Sequence, residues 1–254
     1  MICIYKNVGE TPLEALTRLR EKKPEFKHAV LSYAGRLDPM AEGILLVLVG
    51  NENKNRKQYL NLDKTYEAEM ILGIETDTYD ILGKITKIDT SKNIFSEKDI
   101  KQKLEKYIGT FQQEYPPYSS KTVDGKPLFE WARSGKIHEI SLPTREVHIQ
   151  SIKLLSLTAR SAKKIEENVH EKIKLVKGDF RQEEIEKLWT ENIEKVSKSA
   201  PHFQIAKILV SGSSGTYVRS LIHRLGKDLE VGAVTKSIKR TQIGHYSTTD
   251  CISL

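Results

Sequence analysis

The segment AGRLDPMAEGILLVLVG, residues 34–50, concentrates the residue types that do chemistry. Its carboxylate, Asp38, stands directly before Pro39, whose ring fixes the turn, and the apolar run at 44–50 is short enough for a buried strand. An acid pinned at the edge of a rigid scaffold is placed to act as a nucleophile or general base. An ordinary Leu-Asp-Pro turn carrying a solvated or capping aspartate is the alternative that these residues alone leave open. Thiol and zinc chemistry have no comparable basis. The two cysteines, Cys3 and Cys251, lie at opposite ends of the chain, with neither a disulfide framework nor zinc-ligand spacing around them.

The elements that must position Asp38 are legible around it. Residues 3–5 read as a short strand. Thr11, Pro12 and Glu14 form a capping box with proline in the first turn, and Leu13, Leu16 and Leu19 continue at helical spacing to about residue 22. A loop precedes the strand at 44–50, and the segments 64–74 and 81–88 read as strands around a TDTYD turn. Ser96 and Asp99 open a second helix, with Ile100, Leu104 and Ile108 as its buried stripe and Gly109 as its stop. A short helix is predicted over 129–134, and strands over 145–157 and 203–211. The GSSG turn at 212–215 then leads into an amphipathic helix carrying Val218, Leu221, Ile222 and Leu225. Strands and helices mix without a regular βαβ rhythm, which predicts an α+β fold with a large mixed or mostly antiparallel sheet. The stretch 159–202 is rich in lysine and glutamate. Its Ile185, Leu188, Trp189, Ile193 and Val196 share one helical face, so it reads as a helical insertion between two strands of a single domain spanning 1–254.

The segment around Asp38 also resembles the signature of the TruB-type tRNA pseudouridine synthases, G-[TA]-L-D-P-x-A-x-G-[VL]-L, here Gly35 to Leu45. Further matches follow in the family's order. They are Lys6, Gly9 and Thr11; Lys64-Thr65-Tyr66 with Leu72-Gly73 and Thr76-Asp77-Thr78-Tyr79-Asp80; Pro117 to Lys121 with Leu128-Phe129-Glu130 and Ala132-Arg133; and Ser214 to Leu221 with Arg240-Thr241. The resemblance spans residues 4 to 246 apart from the insertion. It implies isomerisation of uridine to pseudouridine in RNA, most specifically at the T-loop uridine numbered 55 in tRNA, by side chains alone, with no metal or organic cofactor. On this resemblance Asp38 attacks the nucleotide or stabilises charge on the sugar. Arg219 is its cationic partner, expected as a bidentate fork, and Tyr66 is the aromatic platform for a base flipped out of the RNA. Lys6 and Lys64 stand as phosphate ligands or as solvated lysines. Tyr33, Arg36 and Tyr217 belong to the RNA-binding set, and Leu225, with Ile222, to the pocket wall or to ordinary core.

The sequence departs from that family in places. Tyr33 stands where histidine is usual five residues before the aspartate, so stacking survives there while hydrogen bonding changes. Arg36 replaces Thr or Ala. GRLD followed by the GILL run echoes the RsuA/RluA-type synthases, which opens ribosomal RNA as another target. A non-catalytic RNA-binding or RNA-folding factor on the same scaffold is a further alternative. The sequence runs to Leu254, and the expectation is a catalytic domain without the C-terminal PUA domain that many such proteins carry.

Composition agrees with an RNA partner. Lys and Arg number 41 against 34 Asp and Glu, a formal net charge of +7, which favours an anionic partner. Residues 207–240 hold seven Lys/Arg against two Asp/Glu, whereas 159–200 holds ten against nine, so 207–240 is the expected RNA-gripping region. The T-arm of tRNA is the partner implied, held largely through its phosphates. No apolar run approaches ~20 residues, and the start MICIYKNVGE lacks the pattern of a secretory leader. A monomer in a reducing cytoplasm, away from membranes, is the expectation.

Overall fold

A computed structural model of the chain describes residues 1–91 and 94–254. The N-terminal part runs through β1 (Ile2–Lys6), α1 (Pro12–Lys22), β2 (Leu31–Ala34), β3 (Ala41–Val49), α2 (Arg56–Leu60), β4 (Lys64–Leu72), β5 (Ile74–Thr76) and β6 (Ile85–Ile88). The middle holds α3 (Glu97–Glu105), β7 (Gly109–Glu114), β8 (Thr122–Val123), β9 (Lys126–Pro127), α4 (Leu128–Arg133) and β10 (Thr144–Ser161). The remainder comprises α5 (Ala162–Ile173), α6 (Gln182–Val196), β11 (His202–Gly212), α7 (Val218–Asp228), β12 (Ala233–Ile243), β13 (Tyr246–Ser247) and β14 (Cys251–Ile252).

The architecture is α+β. Ten strands form one sheet whose main path runs β14-β1-β3-β12-β4-β11-β10-β7, with β2 on β3 and β13 on β12. Two pairings, β1–β14 and β3–β12, are parallel, and the rest are antiparallel. The central strands alternate between two cores, as a period of two requires. Ala206, Ile208 and Val210 of β11, with Ala68 and Met70 of β4, pack beneath Leu221, Ile222 and Leu225 of α7 and Ile100 and Leu104 of α3. Phe203 and Ile205 of β11, with Ile71 of β4, pack on the other face against Ile165, Val169, Trp189 and Ile193 of α5 and α6. Among the described residues no helix is long and apolar enough to cross a membrane.

The predicted capping boxes at Thr11/Glu14 and Ser96/Asp99 are formed, with reciprocal side-chain and backbone hydrogen bonds. Several boundaries differ from the sequence reading. The second helix stops at Glu105, so Ile108 is 51% exposed while Tyr107 turns inward. Tyr107 donates its hydroxyl hydrogen to Asp228 at 2.5 Å, a tie across to α7 that periodicity does not encode. The predicted strand at 64–74 breaks at Gly73, whose φ of +92° suits glycine, and whose missing Cβ leaves room for the Phe203 ring. Only residues 85–88 of the predicted strand at 81–88 pair. Asp80 instead folds the chain before them, its carboxylate accepting from the Leu82 amide and the Thr78 hydroxyl. The loop expected before β3 contains β2. In the stretch read as an insertion, β10 persists to Ser161 before α5 and α6 form a helical pair. Cys3 and Cys251, at opposite ends of the chain, are register partners on β1 and β14, with their Sγ atoms 2.8 Å apart.

Candidate active site

The loop carrying Asp38 is pinned from both sides. Leu37 is buried in the core beneath α7 and Met40 in the core beneath α6, so the two anchors straddle the aspartate. The Asp38 carbonyl accepts from the Ala41 amide at 3.0 Å, and the Pro39 carbonyl accepts from the Gly9 amide at 2.8 Å. Gly43 follows on β3 with a φ of +112°, and a Cβ there would lie 2.2 Å from the Arg240 carbonyl, so glycine alone permits the close parallel approach of β12. Arg240 is buried in that contact. It donates to the carbonyls of Ile44 at 2.9 Å, Arg36 at 3.2 Å and Gly35 at 3.3 Å, tying the base of the loop to the sheet.

Arg219 reaches Asp38 from the first turn of α7. Its Nε donates to Asp38 Oδ2 at 2.8 Å, Nη1 to the Thr78 carbonyl at 2.6 Å and Nη2 to the Tyr118 carbonyl at 3.1 Å. The pairing is therefore single, not the bidentate fork expected, because both terminal nitrogens are committed to main-chain acceptors. The Arg219 side chain is 4% exposed and that of Asp38 is 38% exposed, so the cation is interior and the acid faces the cleft. A second acid, Asp80, lies 3.7 Å from Arg219 Nε. Burial alone would lower the Arg219 pKa, yet Asp38 and Asp80 outweigh it and hold the guanidinium above its usual value. Burial pushes the Asp80 carboxyl up to about 6, against the partial offset of Arg219 and the Thr78 hydroxyl.

Two cavity lobes meet at Asp38, of about 390 Å³ and about 350 Å³. Each falls within the ~300–1,000 Å³ of small-ligand sites. Tyr66, half-buried on β4, lines the smaller lobe with Lys64, Tyr217 and Arg240. Tyr33 lines the larger lobe with Tyr118, Phe129, Phe180 and Arg181, and Arg36, exposed, borders both. Tyr217 is fixed through its backbone, which exchanges two hydrogen bonds with the Gln113 side chain at 2.8 and 3.0 Å. Burial, reinforced by Asp38, pushes the Tyr217 hydroxyl up to about 12.

Lys6, Lys64 and the basic stretch differ from the sequence expectations, and Leu225 takes the core alternative. Lys6 is fully buried and donates to the carbonyls of Asn7, at 2.9 Å, and Ala41, so it is neither a solvated lysine nor a phosphate ligand. Desolvation lowers its pKa to about 8. Lys64 is 5% exposed and donates to the carbonyls of Leu60, at 2.7 Å, and Leu62, so it braces a turn at the lobe wall; burial lowers its pKa to about 8 as well. Leu225 is buried among the core residues of α7 and lines neither lobe, as its helical period favoured. The basic stretch at 207–240 is not an open cationic surface either. Arg219 and Arg240 are buried, Lys207 and Lys236 pair with Glu67 and Glu69, and Arg224 lies over the Tyr107 and Phe111 rings.

The sequence reading assigned no role to Asp80, to Tyr118 or to Arg181 with its partner Asp77. Asp80 had a visible signal in the TDTYD turn, but nothing in residue type marks which of its two acids is buried.

Comparison with known proteins places this geometry. The family described as "TruB family pseudouridylate synthase (N terminal domain)" matches residues 23–179. A protein of Clostridioides difficile (strain 630) named tRNA pseudouridine synthase B is 33% identical over 255 residues, covering 100% of this chain and 68% of its own length. Proteins of the same name from Fusobacterium nucleatum and Aquifex aeolicus are 32% and 28% identical, with 68% and 71% of their lengths covered. Among solved structures, the fold is similar to a chain of a Cbf5-Nop10-Gar1 complex, with a TM-score of 0.58, 19% identity and 97% of this chain covered. It is also similar to a chain of an H/ACA RNP bound to a substrate RNA containing 2'-deoxyuridine, with a TM-score of 0.56, 18% identity and 97% coverage. The present chain spans about half the length of those two solved chains, 49% and 48%.

Proposed function

We propose, from the premise that this chain belongs to the TruB family of pseudouridylate synthases, that its cleft converts the T-loop uridine at position 55 of tRNA to pseudouridine. The observation that carries this reading is the ion pair of Asp38 and Arg219, 2.8 Å apart, at the junction of two lobes, one of them walled by Tyr66. Proteins named for the same activity on tRNA align with the whole chain. The isomerisation breaks the bond from the ribose to the uracil nitrogen N1, turns the base, joins ribose to C5, removes the C5 proton and leaves a proton on the freed N1. Product and substrate hold the same atoms, so no redox partner is needed. Asp38 supplies the carboxylate that engages the nucleotide. Arg219 holds it in one direction, through Oδ2 alone. Such a buried guanidinium, anchored on two carbonyls, acts without reorganising as charge moves. The Tyr66 ring gives the extruded uracil a stacking face, and Tyr33 offers another at the cleft rim.

Asp38→Asn tests the reading. It preserves shape and removes the charge. Incubation with T-arm transcripts and ribosomal RNA fragments, followed by chemical mapping of pseudouridine, should give product at the T-loop for the wild type and none for the variant, with tRNA binding retained. Product only in ribosomal fragments would move the target. No product from either protein, with tRNA binding intact, would make the chain an RNA-binding factor.

A further inference from the structure

The loop joining α5 and α6 reaches into the larger lobe and delivers Arg181. Its guanidinium grips Asp77 with both ends, Nη1 to Oδ2 at 2.7 Å and Nη2 to Oδ1 at 3.4 Å. The same group lies over the Tyr118 ring, its Cζ 4.5 Å from the ring centre, and the Tyr118 hydroxyl donates to Asp77 Oδ2 at 3.2 Å. Arg181, Asp77 and Tyr118 therefore close a small circuit between the helical pair, the turn before β6 and the segment before β8. That circuit bears directly on the proposed chemistry. Tyr118 and Thr78, the neighbour of Asp77, supply the two carbonyls on which Arg219 rests while its Nε holds Asp38.

We infer that Arg181 is a positioning residue for the Arg219–Asp38 pair, and that the helical insertion is thereby a working part of the cleft; this rests on the function proposed above. Docking the helical pair does not need Arg181. Trp189, Ile165, Val169 and Ile193 bury their side chains against the sheet, and the Trp189 indole donates to the Gly83 carbonyl at 3.1 Å. A phosphate contact is also disfavoured, since both terminal nitrogens are spent on a carboxylate. The loop holds this side chain in place at the lobe, beside Phe180. Arg181 holds a left-handed backbone at φ +63°, uncommon outside glycine. Four hydrogen bonds keep it there. Gln182 Nε2 donates to the Gly178 and Val176 carbonyls at 2.7 and 3.1 Å, the Phe180 amide donates to Gln182 Oε1 at 2.8 Å, and Arg133 donates to the Asp179 carbonyl at 2.7 Å.

A displacement of about 1 Å in a catalytic group can cost ~10²-fold in rate. Arg181→Met should therefore lower kcat for tRNA about 10- to 100-fold with KM within about twofold. Arg181→Lys should not restore it, because an ammonium cannot supply the two-nitrogen fork. Asp77→Asn should produce a similar loss, and the double variant Arg181→Met/Asp77→Asn should be no worse than the weaker single. A readout independent of turnover is the NMR signal of the Arg219 Nε–H, assigned by its loss in Arg219→Lys, which should move in Arg181→Met while circular dichroism stays that of the wild type. Wild-type rates within twofold in Arg181→Met, a loss confined to KM that lysine restores, strictly additive defects, or an unmoved Nε–H signal would each overturn the inference. A wild type without pseudouridine product would overturn the proposed function instead, and the Nε–H signal would still decide whether Arg181 positions Arg219.

Discussion

Asp80 offers a clean physical test, because its carboxyl is buried, acidic and adjacent to the cation of the site. Burial is the largest influence on it, and the pairing with Arg219 and the Thr78 hydrogen bond recover only part, leaving the group at about 6 in the folded protein against an ordinary 3.8. The folded state therefore binds this proton more tightly than the unfolded chain does. Its contribution to stability is full below the unfolded value near 3.8 and is lost as pH rises through about 6. At ~1.36 kcal/mol for each tenfold difference, ionised Asp80 at pH 8 costs about 3 kcal/mol, of which about half is already incurred at pH 5. Asp80→Asn removes the ionisation and keeps the oxygen that accepts from the Thr78 hydroxyl at 2.7 Å and the Leu82 amide at 3.0 Å. Urea unfolding of both proteins at pH 5 and pH 8 isolates the group, since titrations not coupled to Asp80 cancel in the difference. The advantage of Asp80→Asn over the wild type should grow by about 1–2 kcal/mol between those pH values. A difference that stays flat with pH, or shrinks as pH rises, would refute the reasoning that burial dominates this acid.

Two further substitutions probe the frame that carries the site. Trp189→Ala removes a fully buried ring from the face of α6 and should cost about 3–5 kcal/mol in urea unfolding; a loss under about 1 kcal/mol would mean that α6 does not depend on this contact. Gly43→Ala places a methyl 2.2 Å from the Arg240 carbonyl on a backbone at φ +112°, and should cost about 3 kcal/mol or more. Thermal melts check it, and an unchanged Tm would show that β3 and β12 can part without penalty.

Local signals were legible wherever one element determines its own geometry. Thr11 and Ser96 fix helix starts by satisfying amides at N3, and that chemistry needs nothing distant, so both appear in the structure where the sequence placed them. The end of α3 was illegible because a distant residue decides it: Tyr107 is drawn inward by Asp228, 121 positions later. The split at 80–84 has the same origin. An apolar stretch that alternates well enough for a strand is turned by a carboxylate that must be buried with its donors, and by β12, whose Thr235 amide and carbonyl bond the backbone of Tyr79 and Ile81. Cys3 and Cys251 were separated by chain length and joined by sheet order, and only strand order reveals the second.

The candidate site divides along a similar line. The turn that carries Asp38 was legible because a proline before an apolar run is a local statement, whereas the roles expected of Asp38 and Arg219 came from motif resemblance. What each cation does was not legible, since a lysine or arginine reads as solvated charge until its burial is known. Lys6, Lys64, Arg219 and Arg240 are all buried and donate between them to nine main-chain carbonyls. A buried cation is tolerable only when its donors are satisfied, and carbonyls of several loops, of β3 and of the end of α2 satisfy them here. The positive excess of the sequence is thus partly structural, spent on holding irregular backbone at the cleft. Arg181 extends the pattern into the stretch whose balanced charge argued against phosphate binding, and its pairing with Asp77 agrees with that balance. Net charge therefore overstates the cationic surface that stays exposed, and Arg36, bordering both lobes, is one of the cations that remain exposed there.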